Sequence, residues 1–176
     1  MIDPNLILSE DGKTLIGVND KSCKSVKIPE SVTHIGDWAF VGCASLQSID
    51  IPNSVTHICN RAFQKCISLQ SLNIPNSVTN IGDWAFSDCW LLQSINIPNS
   101  VTNIGDWAFS DCWSLKEIHI DIEDPDRITS WLMAFDESQI KKCTLFIPSS
   151  PCWESWEYRH HPVFSIFKNI IIIPRK

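Results

Sequence analysis

A 23-residue unit, repeated four times without a gap, constrains this chain more than any other feature. The units run from Ile28 to His119, and the third and fourth differ at only four positions. A period of this length is too long for a coiled-coil heptad and too short for a repeat of paired helices. It fits one turn of a solenoid that contains a strand, and a chain of 176 residues fits a single domain. The units begin at Ile28, Ile51, Ile74 and Ile97.

One segment of each unit has apolar residues at the spacing L-x-x-L-x-L, as in Leu92, Ile95 and Ile97. Alternation of this kind predicts a strand with its apolar side chains toward a core. Stacked units would then form about six parallel strands, roughly 4.8 Å apart. A proline follows the strand in each unit and ends it, because proline has no amide hydrogen. The other strands are predicted around Cys23, Val26 and Ile28; Leu46, Ile49 and Ile51; Leu69, Leu72 and Ile74; Leu115, Ile118 and Ile120; and Leu145 and Ile147.

The rest of each unit predicts a second short strand followed by a helical turn. Val78 and Ile81 alternate as strand residues do, and a Gly-Asp-Trp-Ala-Phe segment follows them. The residue after the glycine, or after Cys59 in the second unit, is a strong helix N-cap in every unit, and the Ala-Phe pair supplies the buried side. These N-cap candidates are Asp37, Asn60, Asp83 and Asp106.

The unit pattern IPxSVTxIGxxAFxxCxSLxSI resembles the BspA-like leucine-rich repeat. The resemblance implies an α/β fold: a right-handed leucine-rich-repeat solenoid with a parallel concave sheet, short second strands and helical turns, capped at both ends. Residues 1–27 would form a hairpin cap that turns at Asp11-Gly12, before the repeats at 28–119. Residues 120–143 would form a degenerate repeat that keeps Ala134-Phe135, and 144–176 the C-terminal cap. Members of this family are often surface or secreted proteins used in adhesion.

The eight cysteines fit the repeat better than a disulfide framework or a metal site. Four of them recur at one repeat position, where a small buried side chain is expected. Parallel side chains on stacked turns rarely meet disulfide geometry, and a linear column cannot surround zinc tetrahedrally. Only Cys143 and Cys152 could plausibly pair, and mostly free thiols favour a reducing compartment. The recurring cysteines are Cys43, Cys66, Cys89 and Cys112.

Tryptophans occupy two columns of the predicted solenoid. Arg61 shares a column with three of them and would lie between Trp38 and Trp84 in a cation–π sandwich. These columns either cover the helical turns or form an exposed aromatic stripe for a partner or a glycan. The first column holds Trp38, Arg61, Trp84 and Trp107, and the second ends with Trp90 and Trp113.

Outward-facing strand positions form the predicted concave surface. Three of the four differences between the third and fourth units fall there, which fits a uniform scaffold with a varied face. The face either binds a partner or is simply solvated. Its residues are Gln47, Ser48, Asp50, Gln70, Ser71, Asn73, Gln93, Ser94, Asn96, Lys116, Glu117 and His119.

Other function classes find little support in the sequence. A net charge of −6 argues against nucleic acid and anionic membranes, and no apolar run is long enough to span a bilayer. The N-terminus lacks the pattern of a secretory signal, so either the protein stays in the cell or an export segment is missing. No catalytic, nucleotide-binding or calcium-loop motif occurs, so we expect no enzyme activity, cofactor or metal. Capped ends favour a monomer.

The leading hypothesis is therefore a non-enzymatic protein-interaction module, with a role in adhesion as one form of it. Carbohydrate binding through exposed tryptophan columns is the alternative from another class. A purely structural repeat with no partner of its own is the third.

Overall fold

The computed structural model describes residues 3–121, 125–149 and 165–174. They form a solenoid with parallel strands on two sides, as predicted from the repeat. Its elements in chain order are β1 (Leu6–Leu8), β2 (Thr14–Val18), β3 (Ser25–Lys27), β4 (His34–Ile35), β5 (Ser48–Asp50), β6 (His57–Ile58), β7 (Ser71–Asn73), β8 (Asn80–Ile81), β9 (Ser94–Ile97), β10 (Asn103–Ile104), β11 (Glu117–Ile120), α1 (Pro125–Ser130), a 3₁₀ helix (Leu132–Ala134), α2 (Glu137–Ile140), β12 (Thr144–Pro148) and β13 (Asn169–Ile173).

The L-x-x-L-x-L segments form the main sheet. Strands β7, β9, β11, β12 and β13 are hydrogen-bonded in that order, and β3 pairs separately with β5. All of these pairs are parallel, and Leu72, Ile95, Ile118 and Leu145 lie opposite one another in register. The prediction of about six parallel strands is confirmed. In the described residues β13 adds a seventh, and the ladder is interrupted between β5 and β7.

The Val-Thr-x-Ile segments form a second sheet, in the order β1, β2, β4, β6, β8, β10. Strands β1 and β2 are an antiparallel hairpin with Gly12 at a positive φ of 69°, as the Asp-Gly turn predicted. Strand β2 then pairs in parallel with β4, so the hairpin continues the second sheet at its N-terminal end.

A column of phenylalanine rings forms the centre of the core. Phe40, Phe63, Phe86, Phe109 and Phe135 stack with centroids 5.0 to 5.3 Å apart, and every one is buried. Burying such a ring stabilises the fold by roughly 1.5–3 kcal/mol, and each stacked pair adds to this. The column thus links each coil to the next by contact between identical side chains.

The segments after the repeat glycines are not the helical turns that the sequence predicted. Trp38 has a left-handed φ of 63°, and its equivalents in the next three coils have 56° to 58°. This conformation reverses the chain before a helix can start, so the expected N-cap residues serve another purpose. The Asp37 carboxylate accepts a hydrogen bond from the backbone amide of Asn60 in the next coil, at 2.9 Å. In the same way the Asp83 backbone amide donates to the Asn60 side-chain oxygen, and the Asp106 backbone amide donates to the Asp83 carboxylate.

The fifth coil departs from the repeat and contains α1, the 3₁₀ helix and α2. It nevertheless keeps the buried Ala-Phe pair that the sequence predicted. The Ala134 carbonyl accepts from the Phe109 amide at 2.7 Å, as the Ala108 carbonyl accepts from the Phe86 amide. Asp136 is the N-cap of helix α2, and its side chain accepts a hydrogen bond from the Ser138 backbone amide.

The repeated cysteines are buried, free thiols, as their column predicted. The S–H groups of Cys66, Cys89 and Cys112 donate to backbone carbonyls of the preceding coil, at 3.2 to 3.4 Å. Burial raises the pKa of Cys43 to about 11 and that of Cys112 to about 12. Cys143 is also a buried free thiol, and Cys152, its suggested partner, lies outside the described residues. These thiols therefore have a packing role.

Candidate interaction surfaces

The outward face of the main sheet carries the residues that the sequence analysis singled out. Ten of the twelve are exposed, whereas Ser94 and His119 are half-buried. The register aligns them in two rows across β7, β9 and β11. One row contains Ser71, Ser94 and Glu117, and the other contains Asn73, Asn96 and His119.

The candidates on β5 lie in a separate ladder. Ser48 and Asp50 pair with Ser25 and Lys27 of β3, and Lys27 Nζ lies 3.9 Å from an Asp50 carboxylate oxygen. Both side chains of this ion pair are well exposed, so it contributes little to stability. The structure therefore joins only the candidates of β7, β9 and β11 into one hydrogen-bonded surface.

The second row extends beyond the residues predicted from sequence. Phe146 of β12 lies beside His119, and Ile171 of β13 lies beside Phe146. The His119 and Phe146 rings stack with centroids 4.2 Å apart and an interplanar angle of 7°. His119 Nε2 also lies 3.3 Å from a Glu117 carboxylate oxygen. Phe146 lies between the buried Leu145 and Ile147, and this alternation could have predicted from the sequence that Phe146 faces outward.

A shallow hollow of about 210 Å³ lies where these strands end. Its lining passes from polar to apolar residues, and Ile173 at the apolar end is exposed, as is the neighbouring Ile171 outside the hollow. The face therefore changes along the solenoid, from amides on β7 and β9 to aromatic and aliphatic side chains on β12 and β13. The hollow is lined by Asn96, His119, Ile120, Asp121, Phe146, Ile147, Pro148, Ile173 and Pro174.

A family model described as BspA type leucine rich repeat region, with six copies, matches residues 18–141. The chain belongs to this family. A search of curated proteins finds no significant match.

Solved structures of bacterial leucine-rich-repeat proteins share the fold. A leucine-rich cell surface protein from Faecalibacterium prausnitzii is 30% identical, with a TM-score of 0.65 over 84% of this chain and 39% of its own. A leucine-rich repeat protein from Bacteroides ovatus is 24% identical, with a TM-score of 0.61 over 98% and 45%. The pneumococcal vaccine antigen PcpA is 19% identical, with a TM-score of 0.69 over 97% and 46%. The chain thus spans less than half the length of each of these proteins.

The first tryptophan column of this BspA-type chain is only partly as predicted. The Arg61 guanidinium lies over the Trp38 ring, 4.4 Å from its centroid. Trp84 does not complete the sandwich but stacks on Trp107 at 5.9 Å. Trp38 and Trp107 are exposed and Trp84 is half-buried. Stacked rings cover one another's faces, so most of this column presents ring edges to solvent.

The second column consists of Trp90 and Trp113, which stack at 5.8 Å. Both are exposed, and Trp113 reaches 72%. Its indole N–H donates to an Asp111 carboxylate oxygen at 3.1 Å, which fixes the orientation of the ring. Among the residues that the structure describes, no continuous cover lies over these rings, so the exposed-stripe interpretation fits this column better than the covering one.

A histidine pair lies on the second sheet. The rings of His34 and His57 stack at 4.6 Å, and each Nδ1 lies within 2.9 Å of the hydroxyl of the preceding threonine. Burial, and then the neighbouring His57 ring, lower the pKa of His34. Among the described residues no group of three potential ligands could hold a metal ion, and no helix there is long and apolar enough to cross a membrane.

Proposed function

We propose that this chain is a protein-interaction module that contacts its partner through the outward face of β7, β9, β11 and β12. The observation that carries the proposal is the row formed by Asn73, Asn96, His119 and Phe146. It places polar amides beside a half-buried aromatic ring and the exposed aliphatic side chains of β13 on one hydrogen-bonded sheet. Protein interfaces combine such features, with anchoring apolar groups and a polar surround.

Variation within the chain supports this assignment. The third and fourth units are identical except at four positions, and three of those lie on the proposed face. The buried side chains of these units are unchanged, because every coil has to stack on the next. The outward strand positions have no such constraint, and there Gln93, Ser94 and Asn96 become Lys116, Glu117 and His119.

The proposal extends to where the protein meets its partner and to the role of the contact. One similar structure is that of a leucine-rich cell surface protein, so we propose a partner met at a cell surface and a role in adhesion. The buried thiols are compatible with this location, because side chains enclosed in the core are shielded from oxidants.

The test compares two variants of the complete chain. The face variant replaces Gln70, Asn73, Gln93 and Asn96 with alanine, and a second one replaces Phe146 with alanine. The control replaces the exposed turn residue Lys65 with glutamine. Proteins cross-linked to the immobilised wild-type chain on intact cells are identified, and the best-supported one is purified for affinity measurements.

We expect the face variant and Phe146→Ala each to weaken binding at least about tenfold, and the control to change it less than about twofold. If both the face variant and Phe146→Ala bound the partner as tightly as the wild type, this surface would be excluded as the binding site. Circular dichroism and denaturation of every variant separate a lost contact from a lost fold.

A further inference from the structure

The second tryptophan column stops at the boundary between the fourth and fifth coils. Trp90 covers one face of the Trp113 ring. The fifth coil has α2 at this place rather than another aromatic residue. Trp113 is the most exposed of the large apolar side chains that the structure describes, at 72%. One apolar ring face is thus held in a fixed orientation beside the last repeat.

A hollow of about 390 Å³ lies between Trp113 and α2. This volume is within the range of roughly 300–1,000 Å³ that is typical of small-molecule sites. Apart from the tryptophan and a buried leucine, its lining is polar. The lining residues are Asp111, Trp113, Leu115, Asp136, Ser138, Gln139 and Lys142.

The polar groups are held by their own hydrogen bonds. One Asp111 oxygen accepts from the Trp113 indole, and one Asp136 oxygen accepts from the Ser138 amide at 2.7 Å and its hydroxyl at 2.6 Å. Gln139 is buried and donates to the Cys112 carbonyl. Because a carboxylate has about four acceptor positions, both aspartates keep capacity for a further donor.

The hollow holds charges of both signs. Two carboxylates, from Asp111 and Asp136, repel an anion, and the ammonium group of Lys142 offsets part of their attraction for a cation. A guest that satisfies both kinds of group needs donors for the carboxylates and an acceptor for the ammonium, and hydroxyl groups provide both. The Trp113 face demands in addition that one side of the guest be flat and apolar. A pyranose ring meets all of these conditions, since its C–H face is apolar and hydroxyls surround it.

We propose that the hollow between Trp113 and α2 binds a neutral pyranoside, which stacks on the free face of Trp113 and bonds to the surrounding polar groups. This site lies apart from the main-sheet face and is independent of the protein partner proposed for it.

The first column provides a matched control. Trp107 also ends its column beside the fifth coil, but the hollow next to it is mainly apolar, with Leu132, Met133 and Phe135 in its wall. Asp136 and Glu137 are the only polar residues that the structure describes in its lining, so it offers fewer hydrogen-bonding groups than the proposed site. Asp136 lines both hollows, but Trp107 lines only this one, so replacing Trp107 removes an exposed indole without removing a residue of the proposed site.

The experiment titrates the complete chain with methyl β-D-glucopyranoside, methyl β-D-galactopyranoside and methyl α-D-mannopyranoside, and follows the indole N–H resonances by NMR. Sorbitol has the hydroxyls without the ring face, and argininamide is a cationic probe. The variants are Trp113→Ala, Asp136→Ala and the control Trp107→Ala.

We expect at least one pyranoside to shift the Trp113 resonance, with sorbitol and argininamide inactive. Affinity should fall at least about tenfold in Trp113→Ala, fall in Asp136→Ala, and change less than about twofold in Trp107→Ala. Three results would overturn the proposal: no pyranoside binds, pyranoside affinity survives Trp113→Ala, or argininamide binds at Trp113 in preference to the sugars. A sugar bound equally well by Trp113→Ala would place carbohydrate recognition elsewhere on the chain.

Discussion

The phenylalanine column offers a quantitative test of the stacked core. Phe63 and Phe86 are fully buried, and their rings stack with centroids 5.0 Å apart and an interplanar angle of 4°. Replacing either with leucine keeps an apolar side chain but removes the ring. Each single replacement is expected to lower the free energy of unfolding by about 1–3 kcal/mol. Stacking between the two rings should contribute about 0.5–1.5 kcal/mol beyond burial. Either single replacement already removes this stacking energy, so the double variant loses it only once.

A double-mutant cycle isolates that contribution. The free energy of unfolding is measured by urea denaturation for the wild type, Phe63→Leu, Phe86→Leu and the double variant. We expect a coupling energy of about 0.5–1.5 kcal/mol between the two sites. The matched control pairs Phe40→Leu with Phe109→Leu, between which two rings intervene, and its coupling should stay below about 0.5 kcal/mol. Coupling in the adjacent pair no larger than in the distant pair would refute ring stacking as the link between coils.

Three further perturbations follow from the same coils. Burial raises the pKa of Cys43 to about 11 and that of Cys112 to about 12, from an ordinary 9.0. The unfolded chain loses these protons first, so the free energy of unfolding should fall as pH rises above about 9, and less steeply in Cys112→Ala. His34 has a pKa below its ordinary 6.5, first because of burial and then because of the adjacent histidine ring. Stability should therefore be lost as pH falls below that value, and denaturation of His34→Asn should show a smaller loss. Lys65 has a left-handed φ of 62°, and the equivalent residue of the first coil is Gly42. Lys65→Gly should therefore increase the free energy of unfolding by up to about 1 kcal/mol and raise the thermal midpoint, whereas Lys65→Val should lower both.

The sequence predicted the strands and the core because both depend on local alternation repeated at a fixed period. Leu72, Ile95 and Ile118 were expected to point inward together, and the parallel register places them opposite one another. The cysteine column was predictable for the same reason. Each of these features needs only that identical units stack in register.

The turns could not be predicted in this way. An aspartate or asparagine at this position of the repeat has the same local signature whether it caps a helix or bonds to another coil. The Asn60 side chain accepts from the Asp83 amide of the next coil, 23 residues away, and no local pattern shows this choice. The left-handed conformation of Trp84 was equally hidden, because bulky residues seldom adopt it.

The candidate sites likewise differ in whether they depend on the regular repeat or on contacts between coils. The outward residues of β7, β9 and β11 were predictable from alternation, whereas Phe146 was missed although the same alternation places it on the outward face. The hollow beside Trp113 was not predictable, because it depends on how the irregular fifth coil meets the fourth. Only the three extra residues between Ala108 and Ala134, relative to the repeat, marked that junction in the sequence.

Site-specific photocross-linking tests the central claim most directly. Benzoylphenylalanine is placed at Gln93 on the main-sheet face in one variant and at Asn103 on the second sheet in another, both being exposed positions. After irradiation with the purified partner, we predict a cross-linked complex from the Gln93 variant and none above background from the Asn103 variant. Efficient cross-linking from Asn103 with none from Gln93 would contradict the assignment of binding to the main-sheet face.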